Sequence, residues 1–318
     1  MPFALAIAAL LSFALPVSAQ PSLTAPGVSL ALAEDRARRV ADLRYDLSLT
    51  VPAARDAAIE GTATLRFQLA DATSPLVLDF ATSREHVRAL AVNGDAAPIV
   101  FENGHLVVAA DRLAEGDNVV RVDFRAGDAP LNRNDEFLYA LFVPARAREA
   151  LPVFDQPDLK ARWTLTLTVP AAWQAVANGA EVSRTVTGET VTVRFAETEP
   201  LSTYLFSFVT GVFQVETATR DGRAMRMFHR ETDAAKVARN RDAIFDLHAT
   251  AIDYMERYTD LPYAFGKFDF VLIPAFQFGG MEHAGKILYS ASALLLDESA
   301  TQGQQLGRAS LIAHETAH

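Results

Sequence analysis

The sequence predicts two folded domains in series, an all-β domain of antiparallel strands over residues 20–218 and an α+β domain over residues 219–318. Three observations carry this: period-two alternation of apolar residues from about Val40 to Phe213, turn-forming clusters between the alternating runs, and a change to helical spacing beyond about Ala218. The chain has 318 residues, 50% of them hydrophobic and 21% charged, which is enough apolar material for more than one core.

The segment before the first domain, residues 1–19, reads as an export signal. An apolar run from Phe3 to Leu15 is followed by Pro16 and by Val17-Ser18-Ala19, a small-x-small cleavage pattern ending before Gln20. The run is short for a membrane anchor, since a bilayer span takes about 20 apolar residues. The expected location is therefore periplasmic or secreted, with no stable membrane span after cleavage.

In the first domain, Leu43, Tyr45, Leu47, Leu49 and Val51 alternate with polar residues, as do Ala63, Leu65, Phe67 and Leu69 following Ile59, and later Trp163, Leu165, Leu167 and Val169. Such alternation is the mark of strands with one buried face. Asn93-Gly94-Asp95, Glu102-Asn103-Gly104, Glu115-Gly116-Asp117-Asn118 and Asn178-Gly179 supply turns between them.

In the second domain, Thr232-Asp233 signals a helix start. Val237, Ile244, Phe245, Leu247, Ile252, Met255 and Tyr258 then recur on one helical face. Phe268–Ile273, bounded by Pro262 and Pro274, reads as a strand. Asp297 or Ser299 is placed to cap a last helix that runs to the end of the sequence.

Charge and composition exclude some chemistries. A net charge of -10 offers a phosphate backbone no general attraction, so nucleic acid is not an expected partner. Cysteine is absent, so any metal must be held by His and carboxylates. No G-x-S-x-G elbow, Walker loop or G-x-G-x-x-G fingerprint occurs, and His86, His105, His229 and His248 stand isolated as surface or core residues.

The last five residues, His314-Glu315-Thr316-Ala317-His318, form an H-E-x-x-H sequence. On a helix, residues four apart share a face, so both imidazoles can point at one Zn²⁺ with Glu315 beside a water. Zinc lowers the pKa of such a water towards ~7, and Glu315 could take its proton as it attacks a carbonyl carbon and pass it to the leaving amine. Upstream, Phe278-Gly279-Gly280-Met281-Glu282-His283 lies between the predicted strand and the last helix. Adjacent glycines let another backbone approach, and a neighbouring carboxylate can bind a free ammonium group; a plain Gly-Gly turn with a solvated Glu is the alternative.

Taken together, these residues resemble the gluzincin aminopeptidases of the M1 family, whose G-x-M-E-N signature precedes H-E-x-x-H by a few tens of residues. The resemblance extends back to Leu151-Pro152-Val153-Phe154-Asp155-Gln156-Pro157-Asp158-Leu159-Lys160-Ala161-Arg162-Trp163, similar to the family's F-P-C-F-D-x-P-x-x-K-A-x-F segment, and to the strand Ser202–Gly211 that closes the β-domain. Read as local structure, the Asp155 and Tyr204 segments are β-domain packing. The resemblance implies a saddle-like antiparallel β-sandwich followed by the start of a thermolysin-like catalytic domain. It implies His314 and His318 as zinc ligands, Glu315 as general base, and one zinc ion per chain in the complete enzyme. It further implies Glu282 as anchor for the free amino terminus of a peptide, with Gly279, Gly280 and Met281 lining the substrate edge.

The sequence departs from that pattern at four places. His283 stands where the signature has Asn, and either side chain can donate a hydrogen bond. Leu141 and Val143 fall where many members carry a Gln or Glu that helps to hold the amine, which leaves Glu282 with less help. The family's third zinc ligand, a Glu beyond H-E-x-x-H, and its transition-state Tyr have no counterpart before His318. The expectation is thus a truncated chain with apolar faces left wet, weak zinc binding and negligible peptidase activity. Two other functions compete with amino-terminal hydrolysis: hydrolysis of a non-peptide substrate such as an epoxide lipid, and a non-catalytic binding or structural role.

Overall fold

A computed structural model describes residues 23–318. The expected export signal, residues 1–19, lies outside the described residues. Among the described residues no helix is long and apolar enough to cross a membrane.

The first domain is built on an eight-stranded sheet. Its spatial order is Glu181–Thr187, Thr190–Phe195, Arg162–Pro170, Val40–Thr50, Glu60–Leu69, Gly116–Arg125, Val87–Val92 and Asp95–Ala96. Every neighbouring pair is antiparallel except Val40–Thr50 with Arg162–Pro170, which run parallel. Alternation reports which face is buried but not strand direction, so the parallel pair was not foreseeable. A three-stranded sheet (Leu76–Asp79, His105–Val108, Val100–Glu102) and a four-stranded one (Gln174–Ala177, Phe208–Gly211, Phe137–Ala140, Leu131–Arg133) complete the domain.

The alternating residues point into one continuous core. Leu43, Tyr45, Leu47 and Leu49 are buried while Asp46, Ser48 and Thr50 are exposed. Tyr45 stacks on Trp163 at 4.1 Å, and Trp163 stacks in turn on Phe206 at 4.2 Å. Asn93-Gly94 and Asn103-Gly104 all have positive φ and make the expected tight turns. Asn178-Gly179 does not. Gly179 has no positive φ, Asn178 is buried, and a Cβ at Gly179 would run into the Ala196 carbonyl; the pair is a close approach at the domain junction rather than a hairpin.

One helix of this domain escaped the reading as all-β. Helix α1 (Leu30–Arg39) is capped by Ser29 and carries Arg36, which is fully buried. Arg36 donates to both Asp79 carboxylate oxygens at 2.7 Å and to the Val77 carbonyl at 2.8 and 3.0 Å. The Asp155 segment closes around the same carboxylate: Asp155 N donates to Asp79 at 2.8 Å, Phe154 N to the Tyr45 hydroxyl at 2.8 Å, and Thr203 Oγ1 to Asp155 at 2.6 Å. This segment, together with the 3₁₀ turn at Thr203–Leu205, is thus the polar keystone of the β-domain.

The second domain is a five-stranded mixed sheet in the order Gln214–Arg220, Arg223–His229, Phe268–Ile273, Lys286–Ser290, Gly280–Met281. The strand Gln214–Arg220 straddles the sequence-predicted boundary at residue 218 but pairs along its whole length with Arg223–His229. Helix α2 (Ala234–Thr259) starts where predicted, with Asp233 accepting from the amides of Ala235 and Lys236. The strand Phe268–Ile273 is buried at every position, as a central strand flanked by parallel neighbours must be. A one-turn helix α3 (Ala291–Leu294) and helix α4 (Gln302–Ala317) follow.

The cap of α4 is Thr301, not Asp297 or Ser299. Thr301 and Gln304 exchange side-chain and backbone hydrogen bonds in a capping box, whereas residues 297–300 form a turn closed by Ala300 N on the Asp297 carbonyl at 3.0 Å. Asn240 of α2 then ties α4 down, binding Leu296 through both backbone groups and accepting from Arg308 at 2.7 Å.

Candidate active site

The site lies where α4 crosses the edge strand Gly280–Met281. His314 and His318 are both exposed, and their Nε2 atoms are 3.2 Å apart, with ring centroids 4.8 Å apart. Two imidazole nitrogens on one tetrahedral zinc ion, with bonds of ~2.0–2.1 Å, would be ~3.3 Å apart, so the spacing of this pair matches that of two ligands to one ion. Among the described residues no group of three or more His, Cys, Asp or Glu side chains could hold a metal, so the fit is that of a two-nitrogen donor pair.

Glu315, between them in sequence, is buried, with only 7% of its surface exposed. Burial pushes its carboxyl up to about 7, His314 pulls it back, and the nearby Glu282 carboxylate pushes it further. The side chain lies on the backbone of Gly280, where a Cβ would stand 2.5 Å from three of its atoms. Gly280 therefore makes room for Glu315 as well as leaving its own strand edge bare. Gly279 faces α4 similarly, its absent Cβ only 3.2 Å from Leu311.

Met281 is buried, paired through its backbone with Leu288 and packed with Leu141, Val143 and Tyr139 of the β-domain. Its side chain faces that core. Glu282 is half-buried and shares a cavity of 120 Å³ with Glu315 and His318, walled by Tyr204, Tyr263, Phe265 and Phe268. Structure thus brings Gly279, Gly280, Glu282, Glu315 and the two His residues to one place.

The turn that carries Glu282 is held from several sides. His283 is fully buried, with Nδ1 3.1 Å from the Leu205 carbonyl, and burial beside Lys286 holds its ring well below the usual imidazole range. Asn178 donates to the carbonyls of Leu205 and Ala284 and accepts from Ser207 N at 2.7 Å. Gly285 N donates to the Tyr263 hydroxyl at 3.0 Å. The β-domain thereby sets the position of Glu282 through contacts remote in sequence.

Tyr289 and Lys286 escaped the sequence reading as supporting residues, whereas His248 was expected as a surface or core residue and is one. His248 is buried in α2, and burial drags its ring down to about 4, so it is neutral. With Nδ1 on the Ile244 carbonyl at 2.8 Å, its Nε2 is left to accept the Tyr289 hydroxyl at 3.1 Å. Tyr289 lies beneath α4, and burial and the Glu315 charge both raise its hydroxyl well above the ordinary value. Lys286, fully buried, reaches Ser207 Oγ at 2.8 Å. The only sequence signal was a lysine opening the otherwise apolar run Ile287-Leu288-Tyr289.

Residues 131–205 match the family profile described as the Peptidase M1 N-terminal domain, and residues 244–318 match the Peptidase family M1 domain. The chain belongs to peptidase family M1. Among curated M1 relatives it is 32% identical to Aminopeptidase M1-B of Oryza sativa subsp. japonica, over 88% of this chain and 34% of that protein. It is 35% identical to Probable aminopeptidase 1 of Sulfurisphaera tokodaii over 56% of this chain and 22% of the relative. It is also 32% identical to the Puromycin-sensitive aminopeptidase of Caenorhabditis elegans, over 65% of this chain and 22% of the relative. The chain spans about a third or less of the length of these M1 relatives.

Proposed function

We propose that this chain carries the amino-terminal-residue binding site, the general base and two zinc ligands of an aminopeptidase. The supporting observation is the convergence of the His314–His318 nitrogen pair, the buried Glu315 and the Glu282 carboxylate on one strand edge. His314 and His318 would hold the ion, two of the three protein ligands a catalytic zinc ordinarily takes. When bound, zinc supplies Lewis acidity towards a peptide carbonyl and makes a water acidic.

The chain's own residues do the rest. Glu282, at the turn braced by Asn178, His283 and Tyr263, would pair with the substrate ammonium. Gly280 presents an open strand edge to the peptide backbone, and Glu315, lying against the Gly280 backbone where a side chain would be, would accept a proton from water and return it to the departing amine. A carboxyl pushed up to about 7 is suited to holding and releasing a proton near neutral pH. Leu141 is buried in the same core as Met281 and Val143 packs, partly buried, against it, so Glu282 would meet the ammonium without a polar partner from those two positions.

Zinc titration of the 318-residue chain tests this. The expected result is one zinc per chain, with His318→Ala weakening the affinity by at least about tenfold. Unchanged stoichiometry and affinity in His318→Ala would remove the metal pair and with it the hydrolytic reading. Export is part of the same proposal, resting on the Phe3–Leu15 run and the Val17-Ser18-Ala19 pattern. Amino-terminal sequencing of the secreted or periplasmic protein should read from Gln20, and an intact Met1 in a cytoplasmic fraction would refute it.

A further inference from the structure

The segment that precedes α1 is pinned to the β-domain by two side chains of one hairpin. Asn103 Nδ2 donates to the Thr24 carbonyl at 3.0 Å, and His105 Nε2 stands 2.9 Å from the Ala25 carbonyl. Two residues on, Gly27 has a φ of +82° with open space where a side chain would be, and Ser29 then caps α1. The helix has anchors of its own. Arg36 binds Asp79 and Val77, Arg39 binds the carbonyls of Asp71, Ser74 and Pro75, and the Ala33 carbonyl accepts from Gln156 at 3.1 Å. Residues 23–26 are therefore held separately from the helix, across a glycine turn.

His105 is buried, and its other ring nitrogen, Nδ1, stands 3.0 Å from Asp79 Oδ1. The ring thus lies between two acceptors, a carboxylate and a carbonyl. A neutral imidazole has one N–H and one lone pair, so either tautomer would turn a lone pair onto one of these oxygens. Only the doubly protonated ring suits both contacts. The charged groups around it are Asp79 from the strand Leu76–Asp79, Arg36 from α1, Asp155, whose backbone amide meets Asp79, and the exposed Glu102, paired with His105 across the hairpin. The hydrogen bond to Asp79 raises the ring above the ordinary imidazole value and the Ala25 carbonyl adds to this, while burial and Arg36 oppose it.

We propose that residues 23–26 form a strap latched by the His105 imidazolium, closed while both ring nitrogens carry protons and swinging free about Gly27 when one proton is lost. The proton that remains stays at Nδ1, beside the buried carboxylate, because a charge-assisted contact is stronger than one to a carbonyl. Nε2 then presents a lone pair to the Ala25 carbonyl, and that contact turns from attraction to repulsion. Asn103, an exposed amide in competition with water, does not replace it. Because the folded value is raised, the latch is fully closed below the ordinary imidazole value and opens as pH rises through the raised one. Helix α1 stays docked, since the guanidinium groups of Arg36 and Arg39 keep their charge throughout that range. The strap is independent of the aminopeptidase reading, which involves neither His105 nor the hairpin that carries it.

The test is strap mobility against pH, read by a nitroxide label on the full chain. Cysteine is absent, so Pro26→Cys, at an exposed position, gives a unique attachment site on the strap, and Leu30→Cys, also exposed, gives one on α1 in a second sample. Between about pH 6 and 9.5, the label at position 26 should pass from immobilised to mobile. The mobile-to-immobile ratio should climb about tenfold per pH unit, as the loss of one proton requires, while the label at position 30 stays unchanged. In the unmodified chain, the ring ¹⁵N resonances of His105 should report two N–H groups on the acid side and lose that of Nε2 at the same midpoint. His105→Gln, which cannot titrate, should remove the pH dependence, and Asn103→Ala should keep it. A label at position 26 whose mobility ignores pH, a neutral His105 ring while the strap is immobilised, or a pH dependence that survives His105→Gln would each overturn the latch. Mobilisation of both labels together would overturn it in favour of loss of the whole of α1. Should His105→Gln fail to fold, the ring resonances of the unmodified chain decide by themselves.

Discussion

Asp79→Ala will lower the stability of the chain by about 3–5 kcal/mol at pH 7, read as a shift in the urea or thermal midpoint. The reason is what the carboxylate leaves behind. Arg36 and Asp79 are both completely buried, and Asp79 accepts from two Arg36 nitrogens at 2.7 Å, from Asp155 N at 2.8 Å, and lies 3.0 Å from His105 Nδ1. Removing it strands a guanidinium that keeps the Val77 carbonyl, a long contact of 3.5 Å to Gln156 and the face of the Phe154 ring at 5.3 Å, but no counter-charge. The double replacement Arg36→Met with Asp79→Leu should recover most of the loss, since no charge then remains to be solvated. A single variant as stable as the parent would show that water reaches Arg36.

The same cluster sets the acid limb of stability. Burial alone would raise the Asp79 carboxyl, but the His105 hydrogen bond and the Arg36 charge hold it below the ordinary carboxylate value. A depressed folded value means that the unfolded chain binds more protons, so this contribution is present above the unfolded carboxylate value and lost as pH falls through the folded one. His105 is shifted upward, chiefly by its hydrogen bond to Asp79, so its share is present below the ordinary imidazole value and fades as pH rises through the raised one.

Lys286→Met is expected to act in the opposite direction, stabilising the chain by about 1–4 kcal/mol at pH 7. Arg226, Asp269 and Lys286 stand side by side on three parallel strands, and Asp269 is already shared by Arg226 at 2.6 Å and Lys267 at 3.0 Å. Lys286 is left with the Ser207 hydroxyl, itself donating to the Ala140 carbonyl at 2.8 Å. Burial, with Lys267 adding to it and Asp269 opposing, drives its amine well below the usual lysine range. The unfolded chain then holds the extra proton, so the parent protein gains stability as pH rises through that interval and loses it as pH falls. Urea midpoints from pH 6 to 9 should climb more steeply for the parent than for Lys286→Met. A variant less stable than the parent across that range would mean that the Ser207 contact outweighs the burial of the amine.

Much of this architecture was legible from local pattern. Tyr45, Leu47 and Leu49 announced their face because a strand turns alternate residues to opposite sides, and Asp233 announced α2 because an N-cap needs only its own next three residues. The H-E-x-x-H pair is legible for the same reason, a helix turn being enough to bring His314 and His318 together. Helix α1 was hidden because its decisive residue, Arg36, is stabilised by Asp79 and Val77, forty residues away. Asn178-Gly179 looked like a turn because the carbonyl that forbids a side chain there belongs to Ala196.

By itself, then, the sequence determined what depends on neighbours along the chain: the β-domain followed by an α+β one, the alternating core, the N-cap of α2, the paired imidazoles and the family signature. Tertiary structure alone decided the rest. It buried Met281 against the β-domain, laid Glu315 over Gly280 beside Glu282, braced that turn with Asn178, and confined Lys286 where no carboxylate is left for it. The physical reason is range. Helix turns, strand alternation and caps are set over a few residues, whereas burial, close approach and the charge state of a side chain are set by whatever the fold places around it.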